Sequence, residues 1–165
     1  MSETAIASRC NESSTGVETY TVRIADWRND SQVLHAVREA VFIREQGVPA
    51  ELEWDEFDAG CIHLIARDAA QKGIGTARLF PHGVIGRMAV LKEWRGKGVG
   101  ATLMHCLLEE AIKRQIQQVV LHAQAHAGGF YARFGFRAVG KQFMEAGIPH
   151  VRMVLRLAGR SVDQF

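Results

Sequence analysis

Long apolar runs are missing from this sequence of 165 residues. No stretch of about 18 apolar residues occurs, so no membrane-spanning helix is expected. The N-terminus lacks a basic region followed by an apolar one, which argues against a secretory signal. Cysteine is scarce, with only Cys10, Cys61 and Cys106, widely scattered. An odd, dispersed set matches neither a disulfide framework nor a zinc site, and no metal is expected. A reducing, cytoplasmic setting is the expected compartment. Charge imbalance is small as well. The formal net charge is +2, too little for a bulk attraction to nucleic acid or to a membrane surface. Internal repeats are absent.

What remains is a globular balance, 47% hydrophobic and 23% charged, suited to one domain with a sizeable core. The most informative stretch runs from Ile85 to Ala101, IGRMAVLKEWRGKGVGA. A short apolar strand leads into a basic, glycine-rich turn. From Val99 the apolar residues recur at Leu103, Met104, Leu107, Leu108, Ala111 and Ile112, while Glu109, Glu110, Lys113 and Arg114 take the other face. That spacing is helical, so a long amphipathic helix starts in or just after the turn. A helix start presents free N–H groups and the positive end of the macrodipole. Gly96, Gly98 and Gly100 let a ligand approach the backbone, and Arg95 and Lys97 add positive charge. The combination suits a pyrophosphate. A plain glycine turn with solvated cations is the alternative. The spacing is not the G-x-G-x-x-G of a Rossmann fold, and no Gly-Lys-Ser/Thr marks a P-loop.

The rest of the chain reads as strands and helices around this stretch. Residues 1–19 are rich in Ser, Thr and Glu and are expected to be a disordered tail. Tyr20–Ile24 alternates as a strand. Asn29, Asp30 and Ser31 offer N-caps for a helix reaching about Gln46, which Gly47 and Pro49 stop. An acidic run follows: Glu51, Glu53, Asp55, Glu56 and Asp58. It is either a solvated loop or a charged rim. Cys61–Arg67, Ile74–Phe80 and Val84–Val90 form three antiparallel strands. Val119–Ala123 is a fifth, parallel to the fourth after a helical crossover. Phe130, Tyr131 and Phe134 sit at helical spacing before Gly135, a C-cap. Phe136–Val139 and Val151–Leu157 complete the sheet, and residues 158–165 read as a short tail. The expected fold is a mixed α/β (α+β) sheet of about seven strands with about four helices, over residues 20–157.

The pattern Arg95-x-x-Gly98-x-Gly100 resembles motif A of the GNAT superfamily, the acyl-CoA-dependent N-acetyltransferases. IGRMAV before it is similar to the family's fourth strand, and FYARFGF after it to the last helix and following strand. Three further segments, VFIREQGVP with its acidic run, AQAH, and Glu145 with GIPH, are similar to the ElaA-like (YjcF-like) branch. The resemblance implies a GNAT-like acyl-CoA N-acyltransferase fold whose fourth and fifth strands splay. It implies acetyl-CoA as co-substrate. The amides of Arg95, Gly96, Lys97, Gly98, Val99, Gly100 and Ala101 would hold its pyrophosphate. The backbone of Met88, Ala89 and Val90 would pair with its pantetheine arm. The family commonly has a nearby Asn that bonds CoA; this chain lacks it, and Gln124 or His126 would substitute.

Phe130, Tyr131 and Phe134 are readable as an aromatic core stripe, but the resemblance implies that Tyr131, four residues before Gly-Phe, would protonate the departing thiolate. A phenol of pKa ~10 is a neutral donor at pH 7, and a thiol of pKa ~8.5 leaves as an anion. His150 is the first choice of base, with His126 and Glu145 behind it; each is also readable as a satisfied structural residue. Glu45 and Gln46 are the acceptor-side candidates. The acidic run, if a rim, would attract a cationic amine such as a polyamine, an amino sugar or lysine. The expected activity is transfer of an acetyl group from acetyl-CoA to a primary amine by direct attack in a ternary complex. A thiol relay is disfavoured, because neither Cys61 nor Cys106 lies in the turn or beside an evident base. A non-catalytic acyl-CoA sensor of the same fold is the alternative, and a phosphate- or nucleotide-binding protein is a third reading. Homodimer and monomer both stay open.

Overall fold

The computed structural model describes the backbone of residues 9–15 and 18–165, and side chains from residue 19 onward except that of residue 162. Eight strands form one sheet: β1 (Arg9–Thr15), β2 (Glu18–Ile24), β3 (Ile62–Asp68), β4 (Gly73–Leu79), β5 (Val84–Val90), β6 (Gln118–Gln124), β7 (Arg137–Glu145) and β8 (Ile148–Arg156). Their order across the sheet is β1-β2-β3-β4-β5-β6-β8-β7. Neighbours are antiparallel except β5 and β6, which run parallel. The helices are α1 (Trp27–Arg38), α2 (Ala50–Glu53), α3 (Val99–Lys113) and α4 (Gly128–Ala132). The expected four helices are present, and α3 spans the crossover between β5 and β6.

The core follows from the periodicities. Along α3, Val99, Leu103, Met104, Leu107, Leu108 and Ala111 are buried against strand residues such as Val22, Leu64, Ala77, Ile85 and Leu121. Val37 of α1 packs with Val41 and Ala89 in a second cluster. β4 is buried along its whole length, as a strand must be when helices cover both sheet faces. Gly73 lets α1 approach, since a Cβ there would lie 2.4 Å from Val33 Cγ1.

Four local expectations need correction. The tail expected over residues 1–19 contains a strand, β1, paired with β2 from Arg9↔Arg23 to Thr15↔Glu18; residues 1–8, 16 and 17 lie outside the described residues. Edge pairing satisfies backbone groups without an apolar side-chain pattern, so periodicity does not register it. The cap of α1 is Asp26, whose carboxylate accepts the Arg28 N–H at 3.1 Å. Asp30, expected as a cap, instead accepts from Arg23 at 2.7 Å and Arg67 at 3.0 Å. The helix does run to Glu45, but residues Glu39–Glu45 wind as a π-helix. Finally, the stretch from Glu145 to His150 closes as a two-residue hairpin turn at Ala146 and Gly147, both at positive φ (49° and 75°). β7 is accordingly longer than Phe136–Val139, and Glu145 and His150 stand on neighbouring strands. Residues 158–165 include a short 3-10 turn, and Phe165 packs against the main core.

Candidate active site

The sheet opens between its two parallel strands. β5 and β6 pair only at Val84↔Val120 and Ile85↔Leu121. Beyond that point β5 continues to Val90 with its outer edge unpaired by β6. A bulge falls there, between the pairs Arg78↔Gly86 and Thr76↔Ala89, with Arg87 at φ 51°. Such a bulge re-aims the backbone that follows it. The backbone of Met88 and Ala89 therefore forms a strand edge that β6 leaves unpaired, the arrangement that accepts an added strand, while Val90 O beside it is taken by a side chain. A cleft of about 570 Å³ occupies the opening, lined among others by Phe42, Gln46, Arg87, Met88, Gln124, Tyr131, Glu145 and His150.

At the end of that edge lies the glycine turn. Gly98 has φ +86° and Gly96 φ +76°, conformations that suit glycine. Gly98 caps α3 without any side-chain hydrogen bond. The helical ladder begins with Thr102 N–H on Gly98 O at 3.0 Å. The amides of Val99, Gly100 and Ala101 thus precede it and face out at the positive helix end. The turn is braced from behind. Tyr20 and Thr102 share a hydroxyl hydrogen bond of 2.9 Å, the Tyr20 ring meets Trp94 edge-on, and Lys97 Nζ sits 5.1 Å over the Trp94 ring. These open amides beside a free strand edge fit a pyrophosphate carrying an extended amide-bearing arm.

Two residues expected in different roles are found on each other. Arg95 donates to both carboxylate oxygens of Glu45, at 2.6 and 2.8 Å, and its Nε donates to Val90 O at 3.0 Å. This hydrogen-bonded pair lowers the pKa of Glu45 and raises that of Arg95. Glu45 is not among the residues lining the cleft. It clamps the π-helix to the glycine turn, and the Arg95 guanidinium is committed to that clamp. Gln46 does line the cleft, and its Oε1 accepts from Gln124 Nε2 at 2.8 Å. The expected acceptor-side and cofactor-side glutamines form a bridge across the opening.

On the reaction side, Tyr131 of α4 lines the cleft, with its ring edge-on to Phe130 and Phe136. Burial pushes its phenol up to about 12, so the ring stays a neutral donor. His150 of β8 donates from Nδ1 to Ile148 O at 2.8 Å. A carbonyl only accepts, so the proton is on Nδ1, and in the neutral ring Nε2 carries the lone pair. That Nε2 lies 3.7 Å from Glu145 Oε2, whose Oε1 lies 3.3 Å from His122 Nδ1. His126, by contrast, is exposed in the turn after β6 and lies outside the cleft lining. His122, in place of His126, joins His150 beside Glu145. Alternation along β6 was the available signal, since His122 shares a face with Gln124.

Residues 25–157 match the family model of the acetyltransferase (GNAT) domain. The chain belongs to the GNAT family. Its fold is the GNAT acyl-CoA N-acyltransferase fold, here with eight strands where about seven were expected. It is 38% identical over 133 residues to the uncharacterized N-acetyltransferase YjcF of Bacillus subtilis, covering 77% of this chain and 94% of that protein. It is 34% identical over 125 residues to the protein ElaA of Escherichia coli, 71% of this chain and 81% of that one. The ElaA crystal structure superposes with a TM-score of 0.69 at 29% identity, over 81% of this chain and 97% of that chain. The crystal structure of a Lactobacillus plantarum protein assigned as an N-acetyltransferase by similarity alone gives 0.77 at 29% identity, over 84% of this chain and 98% of that one.

The acidic run of this GNAT domain is not a free rim. Arg38 is fully buried; its Nε donates to Glu53 at 2.6 Å and its Nη1 to Asp58 at 2.9 Å. Arg78 Nη1 reaches Asp55 at 2.8 Å and Asp58 at 2.7 Å. Arg87 lies 3.1 Å from Glu53 and 3.3 Å from Asp55. Three guanidinium groups thus face three carboxyl groups beneath the cleft. Burial raises Glu53, whereas for Asp58 burial is outweighed by Arg78 and Arg38, which hold its carboxyl below the ordinary range. The arginines were the missed residues. Their signal was a charged side chain inside otherwise apolar strand or helix positions.

Proposed function

We propose that this GNAT protein transfers an acetyl group from acetyl-CoA to a primary amine by direct attack within a ternary complex. The observation that carries the reading is the β5–β6 opening, whose cleft is lined by Met88, Tyr131 and His150 and whose β5 edge runs on towards the uncapped start of α3. In this reading the amides from Gly96 to Ala101 bind the pyrophosphate, and the β5 edge at Met88–Val90 aligns the thioester. Those edge amides also polarise the thioester carbonyl as its oxygen gains charge. His150 Nε2 accepts a proton from the attacking amine, with Glu145 beside it. Tyr131 donates its proton to the sulfur as the C–N bond forms and the C–S bond breaks. Much of the acceleration comes from holding both reactants in place.

Direct attack is supported by the cysteines. Cys106 is buried in the α3 core, and neither it nor Cys61 lines the cleft. Burial also raises the Cys61 pKa, which reduces the thiolate that a covalent route needs. Steady-state kinetics test the reading. Thiol release from acetyl-CoA should require an added amine, with intersecting double-reciprocal lines. Parallel lines would establish an acyl-enzyme instead. Acetyl-CoA binding without release for any amine would favour the sensor reading.

A further inference from the structure

Resting on that reading, we propose that the acceptor is a primary monoamine carried on an aromatic or branched aliphatic body, and not a polyamine, an amino sugar or an amino acid. The geometry of the acceptor half carries this. The acidic run is spent internally: Glu53, Asp55 and Asp58 face Arg38, Arg78 and Arg87. Glu51 and Glu56 are exposed and lie outside the cleft lining. Among the described residues, this run leaves no surplus negative field there to draw a polycation.

One carboxylate is left in the open part of the cleft. Glu145 is half exposed, beside His122 and His150. A single carboxylate matches a single ammonium group. Apolar side chains line the same cleft, namely Phe42, Val48, Leu52, Phe80 and Ile148, the last paired directly with Glu145 across the hairpin. Leu52 is 55% exposed, and so is Phe57, whose ring lies 5.9 Å from Phe80. Exposed apolar side chains gathered at a cleft mouth mark a surface that is covered by a ligand. Sugar hydroxyls would lose water against these side chains, and the polar groups beside them are already engaged, Gln46 by Gln124, Arg78 by Asp55 and Asp58, and Arg87 by Glu53. An acceptor carboxylate would have to compete with Glu53 and Asp55 for Arg87.

The test uses four probes, phenethylamine, spermidine, glucosamine and phenylalanine, in two assays. Calorimetry on the CoA-loaded protein reads binding whether or not chemistry follows, and thiol release from acetyl-CoA reads turnover. Phenethylamine should bind and react with an advantage of at least about tenfold over the others, the scale on which an apolar pocket discriminates. Tighter binding or higher kcat/KM for spermidine or glucosamine would overturn the inference and leave amine acetylation standing. Preference for phenylalanine would overturn it too, by showing that Arg87 reads a carboxylate. If phenethylamine binds best but nothing is released, the acceptor class stands and the transferase reading falls. Leu52→Asp, at an exposed position, should shift the preference several-fold towards spermidine. An unshifted preference, with circular dichroism showing an intact fold, would remove this wall from the acceptor site.

Discussion

Along the opening of the sheet, the polymer itself is prepared for binding: the β5 edge presents backbone groups, and α3 begins with amides that no side chain caps. Across the cleft, the half we assign to the acceptor is assembled from side chains. Arg38, Arg78 and Arg87 hold the acidic segment in place, and an apolar wall stands above them. The first half needs only local sequence, namely a strand, a glycine turn and a helix. The second needs partners 15 to 35 residues apart to meet. A backbone-built half binds what every relative with that turn can bind. A side-chain-built half can differ from one relative to the next.

Four changes would break or sharpen this contrast. The largest effect should come from Arg38→Ala, which strands the buried Glu53 and Asp58 carboxyls. Removing one partner of a buried network costs about 3–5 kcal/mol, to be read by urea denaturation. A loss below about 1 kcal/mol would mean that the acidic segment is held by something else. Gly100→Glu places a carboxylate beside the α3 amides, where repulsion of roughly 3 kcal/mol should weaken acetyl-CoA about 100-fold. The fold should survive, because a Cβ there would meet Phe130 at an ordinary 3.6 Å. Unchanged affinity in calorimetry would displace the cradle.

Tyr131→Phe should lower kcat about 100-fold and leave acetyl-CoA affinity alone. Because burial favours the neutral phenol and its pKa rises to about 12, the wild-type kcat should show no descending limb from this group through pH ~10. A limb centred near the ordinary phenol value would show a ring open to water. The smallest effect belongs to Glu45→Gln. Its pair with Arg95 is 38% and 41% exposed, so stability should change by less than about 1 kcal/mol, and the change should fade in high salt.

The same division explains what was legible in the sequence. Val99–Lys113, the strand Val84–Val90 and the place of Tyr131 beside Gly-Phe all followed from spacing within a few residues. Arg95 and Glu45 were both noticed, but nothing local says that residues 50 apart will share two hydrogen bonds. His126 and His122 are four residues apart, and it takes the end of β6 and the registers of both β6 and β7 against β8 to bring His122 to Glu145. The acidic run read as a solvated loop or a rim because its neutralising arginines come from α1, β4 and β5. β1 was missed because its pairing uses backbone groups.

The buried arginine framework also bears on how this protein can change. Arg38, Glu53, Asp58 and Arg78 are each at most 4% exposed, so drift among them is penalised through unfolding before selectivity is ever altered. Leu52 and Phe57 sit on the same segment and are more than half exposed; exchanges there cost little stability. New acceptor preferences are therefore reachable by single steps at those tips, while the scaffold beneath them stays frozen.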